Sequence, residues 1–195
     1  AELVRHIIDV HHALLRREIP DRIGLFDHYW PETIRDYWVS QGYPGIDVNP
    51  EDFFDYDLRF GGGWINSTPI KDFHEVVEES DEWVLTRAGN GAVMRTWKHK
   101  SGTPEHVDFH CVTPQIWESV YKPHLLALDP ARVDVEGTAK NIAEAHRRDK
   151  FTFFGGIFVF EQMRATLGDV CMLESLALEP EWIHDFNRTY TDFFL

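Results

Sequence analysis

Four consecutive side chains, Asp27, His28, Tyr29 and Trp30, carry the densest chemistry in this sequence. Histidine titrates near neutrality and an adjacent carboxylate tunes it, so Asp27 and His28 form a candidate pair for moving a proton. Tyr29 and Trp30, together with Phe158, supply aromatic faces suited to line a pocket. Asp57 ends a short apolar segment and is a further carboxylate suited to face a cleft. Gly155 and Gly156 close an apolar run and leave room for a ligand or another backbone to approach. Asp27, His28 and Asp57 are therefore the catalytic candidates, and Tyr29, Trp30, Gly155, Gly156 and Phe158 the substrate-binding ones. No metal ligand is among them.

Other groupings are read as structural. His6, His11 and His12 lie on one helix without a carboxylate at ligand spacing, the pattern of solvated surface histidines. His106, Asp108 and His110 share a face at period two, a spacing that suits a metal but equally the polar outer face of an antiparallel strand. Gly61-Gly62-Gly63 lacks the lysine and the spacing of a phosphate loop and reads as a tight turn. Glu161 and Arg164 are spaced for a surface pair on a helix.

The elements that must position these residues follow from periodicity and punctuation. Leu3 to Glu18 places Leu3, Ile7, Ile8, Val10, Leu14 and Leu15 on one helical stripe. Arg22 to Asp27 reads as a short strand that delivers the Asp27–Trp30 loop, and Pro31 to Gln41 as a helix with Gly42 as C-cap. From Gly42 to Thr68 regular structure thins out around a short helix led by Asn49. Glu82 to Thr86 and Ala92 to Lys98 are strands joined through Asn90-Gly91, the strongest short hairpin signal, and Glu105 to Cys111 is a third strand after the turn Lys98 to Pro104. Thr113 caps a helix, Gly137 breaks the chain before a helix from Thr138 to Asp149, and Phe151 to Phe154 reads as a strand buried on both faces. Helices at Val159 to Leu167 and Glu181 to Leu195 complete the pattern.

Composition bounds the function. At 195 residues with 43% hydrophobic and 14% aromatic content, the chain is expected to form a single α/β domain over residues 1–195. Its net charge of −14 argues against a nucleic-acid or anionic membrane partner. Cys111 and Cys171 stand far apart with no CxxC, which suits a reducing compartment and a cytoplasmic location. No segment approaches the ~18 consecutive apolar residues of a membrane span.

Several stretches resemble the N-terminal part of the uroporphyrinogen decarboxylase-like superfamily: the REIPDRIGLFDHYWPET entry, the YDL segment with Asp57, the hairpin DEWVLTRAGNGAVMRTW, the DPARVD segment, FTFFGGIFVFEQMRATLG and MLESLALEPEWIHDF. The resemblance implies an α/β fold, a partial (β/α)8 TIM barrel with an inserted antiparallel β-hairpin region, in which more chain or a partner completes the barrel. It would place Asp27 to Trp30, Gly155 and Gly156 at the barrel mouth, where such folds keep their chemistry. The implied activity is that of a lyase: proton-transfer decarboxylation of a small or tetrapyrrole-related acid, as in porphyrin biosynthesis, with no cofactor. Because Asp27-His28-Tyr29-Trp30 stands where porphyrinogen decarboxylases resemble one another in carrying arginines, the expected substrate is not the standard porphyrinogen. The superfamily's other branch implies a zinc-dependent, corrinoid-linked methyltransferase, in which Tyr29, Trp30 and Phe158 would hold a methylammonium group by cation–π contact and whose His-x-Cys and later Cys ligands adjacent His110-Cys111 does not match. A third expectation is a segment without activity of its own that pairs with another subunit. The partners expected are thus a small-molecule substrate and either a second copy, as in a dimer, or a completing subunit.

Overall fold

The computed structural model describes residues 2–20, 22–62, 65–100, 102–156 and 158–195. Asp21 at the strand entry, Gly63 of the glycine turn and Ser101 of the turn after the hairpin lie outside the described residues, as does the side chain of His6. In chain order, α1 (Glu2–Leu15) is followed by α2 (Pro31–Thr33), which runs on through a π turn (Ile34–Trp38) and a 3₁₀ turn (Val39–Gln41). Next come α3 (Pro50–Phe53), β1 (Leu58–Phe60), β2 (His74–Glu79), β3 (Trp83–Ala88), β4 (Ala92–Trp97) and β5 (Glu105–Phe109). A helical stretch of α4 (Pro114–Ile116), a π turn (Trp117–Tyr121) and α5 (Lys122–Leu126) precedes a 3₁₀ turn (Pro130–Arg132). The chain continues with α6 (Val135–Arg147), β6 (Phe151–Phe153), α7 (Phe160–Leu167), α8 (Asp169–Leu178) and α9 (Pro180–Phe194). Two compact units result, one from Ala1–Trp64 with Asp134–Gly155 and one from Ile65–Val133 with Gly156–Leu195.

In the first unit β1 and β6 pair in parallel, Leu58 opposite Phe151 and Phe60 opposite Phe153. Two loop hydrogen bonds prolong the ladder, from the Phe151 amide to Asp57 O and from the Gly61 amide to Phe153 O. The amphipathic α1 buries Ile7 and Val10, and its His11 lies flat on Phe151 at 4.8 Å. Asn49 caps α3 through the Glu51 amide, and Gly42, at φ +99°, ends the Pro31–Gln41 helix by donating to Val39 O. α6 starts three residues before the sequence suggests, because Asp134 accepts from the Gly137 amide and makes Gly137 part of the first turn.

The expected partial (β/α)8 TIM barrel is not what forms. Six strands among the described residues divide into a two-stranded parallel sheet and a four-stranded antiparallel sheet, and no barrel is present. The segment expected as the first barrel strand, Arg22 to Asp27, is irregular. One main-chain hydrogen bond, from the Asp57 amide to Leu25 O, ties it to the start of β1, too few for a ladder, and Ile23 stays 78% exposed. A barrel needs successive parallel strands each closing on the next; β1 and β6 are the one parallel pair among the described residues. The lyase, decarboxylase, methyltransferase and porphyrin-biosynthesis expectations that rested on a barrel lose that structural footing.

The second unit is built on the antiparallel sheet, in the order β2-β3-β4-β5. Gly91 turns the β3–β4 hairpin at φ +87°, with the Tyr121 hydroxyl where a Cβ would sit. Between β4 and β5 the register slips, Val93 facing Asp108 and Met94 facing His106, so Val107 is bulged out. A contiguous core joins Trp117, Leu125, Leu167, Met172, Phe186 and Tyr190; Trp117 and Phe186 lie 4.5 Å apart. Arg132 is buried, and its guanidinium donates to the backbone carbonyls of Asn66, Thr68, Pro69 and His124. No helix among the described residues is long and apolar enough to cross a membrane.

Candidate functional site

The residues singled out from the sequence fall into different settings. Asp27 and His28 are both exposed, and the Asp27 carboxylate accepts from the His28 amide at 2.8 Å. Trp30 is 57% exposed. Asp57 is buried: its two oxygens accept from both Arg22 terminal nitrogens, at 2.5 and 2.9 Å, and from the Leu25 amide at 2.7 Å. Burial alone would raise its pKa, but the Arg22 guanidinium and the Leu25 amide outweigh that and hold the carboxyl below the ordinary value. In this position Asp57 is an ionised anchor for residues 22–25. At Gly155 an added Cβ would meet only Phe60, at 3.7 Å, so no close backbone approach uses that glycine. Gly156 is exposed, and Phe158, in the second unit, packs edge-on against Phe194 at 5.2 Å.

Tyr29 is different, because it leads into an aromatic cluster. Half-buried, it packs at 5.3 Å on Trp38, and burial raises its phenol pKa, with Glu51 adding to the effect. Trp38 in turn meets Tyr43 and Phe54, each at 5.7 Å. Phe53 stands perpendicular to Phe54, at 4.9 Å and 89°, and nearly so to Tyr43, at 4.9 Å and 70°. Between these rings opens a pocket of about 300 Å³ lined by Trp38, Gln41, Gly42, Tyr43, Phe53 and Phe54. Phe53 is 49% exposed and Phe54 42%, so these rings form walls and not a closed core.

Local sequence explains why the walls stand up. Gly42 takes a left-handed turn that ends the Trp38 helix, and the Tyr43 hydroxyl donates to Val48 O, folding the 43–48 loop back on itself. The Asn49 cap and Pro50 then start α3, whose single turn presents Phe53 with Phe54 just beyond it. Behind this turn Arg59 pairs with Glu51 and Asp52, and Arg148 reaches Asp52 at 2.8 Å. The two arginines overcome the upward effect of burial and lower the Asp52 pKa. The pocket lining itself bears no charged side chain.

Sequence reasoning missed Trp38, Tyr43, Phe53 and Phe54 as a group. The signal available was composition, four aromatics within residues 38–54, split between the end of the Pro31–Gln41 helix and the largely irregular stretch after Gly42. It also took His11 for a surface histidine, yet His11 is 6% exposed, with Nδ1 bonded to Ile7 O at 2.7 Å. Its Nε2 has no partner, and Gly24 packs against that atom so closely that a Cβ would sit 2.3 Å away. The period-two grouping of His106, Asp108 and His110 is broken by the Val107 bulge: His106 stacks on Phe109, Asp108 accepts from the Phe109 amide, and His110 bonds the Tyr121 hydroxyl. Among the described residues no group of three or more His, Cys, Asp and Glu side chains comes together to hold a metal. No protein-family model, no curated protein and no solved structure matches the chain.

Proposed function

We propose that this protein binds a small organic cation, an alkylated ammonium compound, in the aromatic pocket of its first unit. The observation that carries the reading is the mutually tilted set of rings from Trp38, Tyr43, Phe53 and Phe54 around an open space of about 300 Å³ with no charged side chain in its lining. Aromatic faces attract a cation through the ring quadrupole, by about 0.5–2 kcal/mol per contact according to how far the site is desolvated. A neutral apolar ligand gains only burial, and an anion is disfavoured both by the ring faces and by the net charge of −14. The volume lies at the small end of ligand pockets, so the ligand is small. This reading keeps the small-molecule partner expected from the sequence and moves its site from the Asp27–Trp30 loop to the rings behind Tyr29.

Choline and its uncharged isostere 3,3-dimethylbutan-1-ol differ in the cationic centre alone. Calorimetric titration of the chain is expected to give saturable choline binding, of millimolar order or about −4 kcal/mol, with the isostere at least about tenfold weaker. Trp38→Leu is expected to abolish that difference. Equal binding of the two compounds, or no saturable binding of choline, would contradict the proposal.

A further inference from the structure

The second unit carries a separate surface. A cleft of about 610 Å³ runs between the edge strand β5 and helix α8. Its apolar lining includes Phe109, Val112 and Leu178, while Asp108, Asp169, Glu174 and Glu179 supply four carboxylates, and the lining contains no Lys or Arg. The apolar residues of α8 on the cleft are open to solvent, Val170 at 71% and Leu178 at 74% exposed, and Leu173, 58% exposed, extends the apolar surface beyond the lining. At 100° per residue Val170, Leu173 and Ala177 fall on one stripe with Glu174 beside it. A helix apolar on its outward side as well as its inward one is a helix whose cover is a partner.

The cleft's chemistry selects that partner. An extended strand added to β5 is opposed by the Val107 bulge and by the Asp108 carboxylate, which already takes the Phe109 amide. A second copy would bring another −14 charge against the four carboxylates, and an anionic membrane is repelled in the same way. A helix with an apolar stripe flanked by lysine or arginine satisfies both the ridge and the rim. We propose that the β5–α8 cleft docks a basic amphipathic helix of another protein, with apolar anchors at i, i+3 or i+4, and i+7. α8 has ten residues, about 15 Å of helix, which matches roughly three turns of the partner.

The probe is a synthetic amphipathic helical peptide carrying leucines at those positions and lysines beside them, with a fluorescent label, titrated against the full chain by anisotropy. Saturable binding is expected, weakened at least about tenfold by the double charge reversal Asp169→Lys with Glu174→Lys and, independently, by Leu178→Glu. The reversal Glu78→Lys with Asp81→Lys, on the same unit but outside the cleft, serves as control and is expected to leave affinity within about twofold. Far-ultraviolet circular dichroism and the thermal midpoint establish that each variant is folded. Equal losses from cleft and control reversals would reduce the effect to bulk electrostatics and overturn the proposal. So would unchanged affinity in all variants, or a concentration-dependent dimer in light scattering that Leu178→Glu dissolves, which would make a second copy the occupant.

Discussion

The two units differ in how they cover their aromatic clusters, although the first also buries Tyr43 and Tyr56 and the second leaves Phe158 and Phe160 exposed. In the second, Trp117, Phe186 and Tyr190 are fully buried in one contiguous core, and even polar anchors serve it: Trp117 Nε1 donates to Asp185 at 2.8 Å, and Lys122 holds the same carboxylate at 2.7 Å. In the first, Phe26, Phe53, Phe54 and Phe60 remain 41–49% exposed while touching one another or their neighbours. A ring that is fully buried contributes its packing to stability, whereas a ring held half-open by its neighbours keeps a face for something else. Under the proposed function, the half-open rings of Phe53 and Phe54 are the ones available to a ligand.

Substitutions that remove one ring from each unit sharpen this contrast. Phe186→Ala leaves a cavity in a fully buried site and is expected to cost about 3–5 kcal/mol, seen as a large drop in the thermal or denaturant midpoint. Arg132→Met removes the donors of four carbonyl contacts, one of them fully buried, while keeping most of the side-chain volume, and is expected to cost about 2–4 kcal/mol in chemical denaturation. In the first unit Asp57→Asn weakens the Arg22 clamp by about 1–2 kcal/mol at neutral pH. Because the folded-state pKa of Asp57 is lowered, its stabilisation is present above the unfolded carboxylate value of about 3.9 and is lost as pH falls through and below it. The Asn variant is therefore expected to lose part of the acid dependence of stability; an unchanged profile would remove Asp57 as an ionised anchor. Phe53→Ala, half-exposed to begin with, is expected to cost no more than about 1 kcal/mol.

Local punctuation was legible in the sequence. Asn90-Gly91 turns the hairpin, Thr113 accepts from the Ile116 amide, Asn49 and Gly42 bound their helices, and Phe151–Phe153 pairs as a parallel strand, though it is half-buried rather than buried on both faces and Phe154 is exposed. The turn and the caps each depend on a few neighbouring residues, whereas the Phe151–Phe153 strand pairs with Leu58–Phe60 far back in the chain. What failed depends on partners far along the chain. Arg22 to Asp27 has strand-like composition but one backbone bond to a neighbour, so composition alone misassigned it. β2 was missed because His74–Glu79 is exposed throughout and reads as polar surface. His11 looked solvent-facing until Phe151, 140 residues on, stacked against it. The candidate pocket was invisible for the same reason: Trp38 comes from the end of one helix, Tyr43 from the loop after it and Phe53 and Phe54 from the end of α3, and no periodicity announces that these segments meet.

The account rests most heavily on the claim that the rings around Phe53 form a binding surface and not a core. Titrating tetramethylammonium into wild type and Phe53→Ala, while recording both thermal midpoints, tests it in one experiment. The account predicts an affinity loss of about tenfold with the midpoint moving by no more than a few degrees. A midpoint that collapses as in Phe186→Ala, or an affinity that does not change, would contradict it.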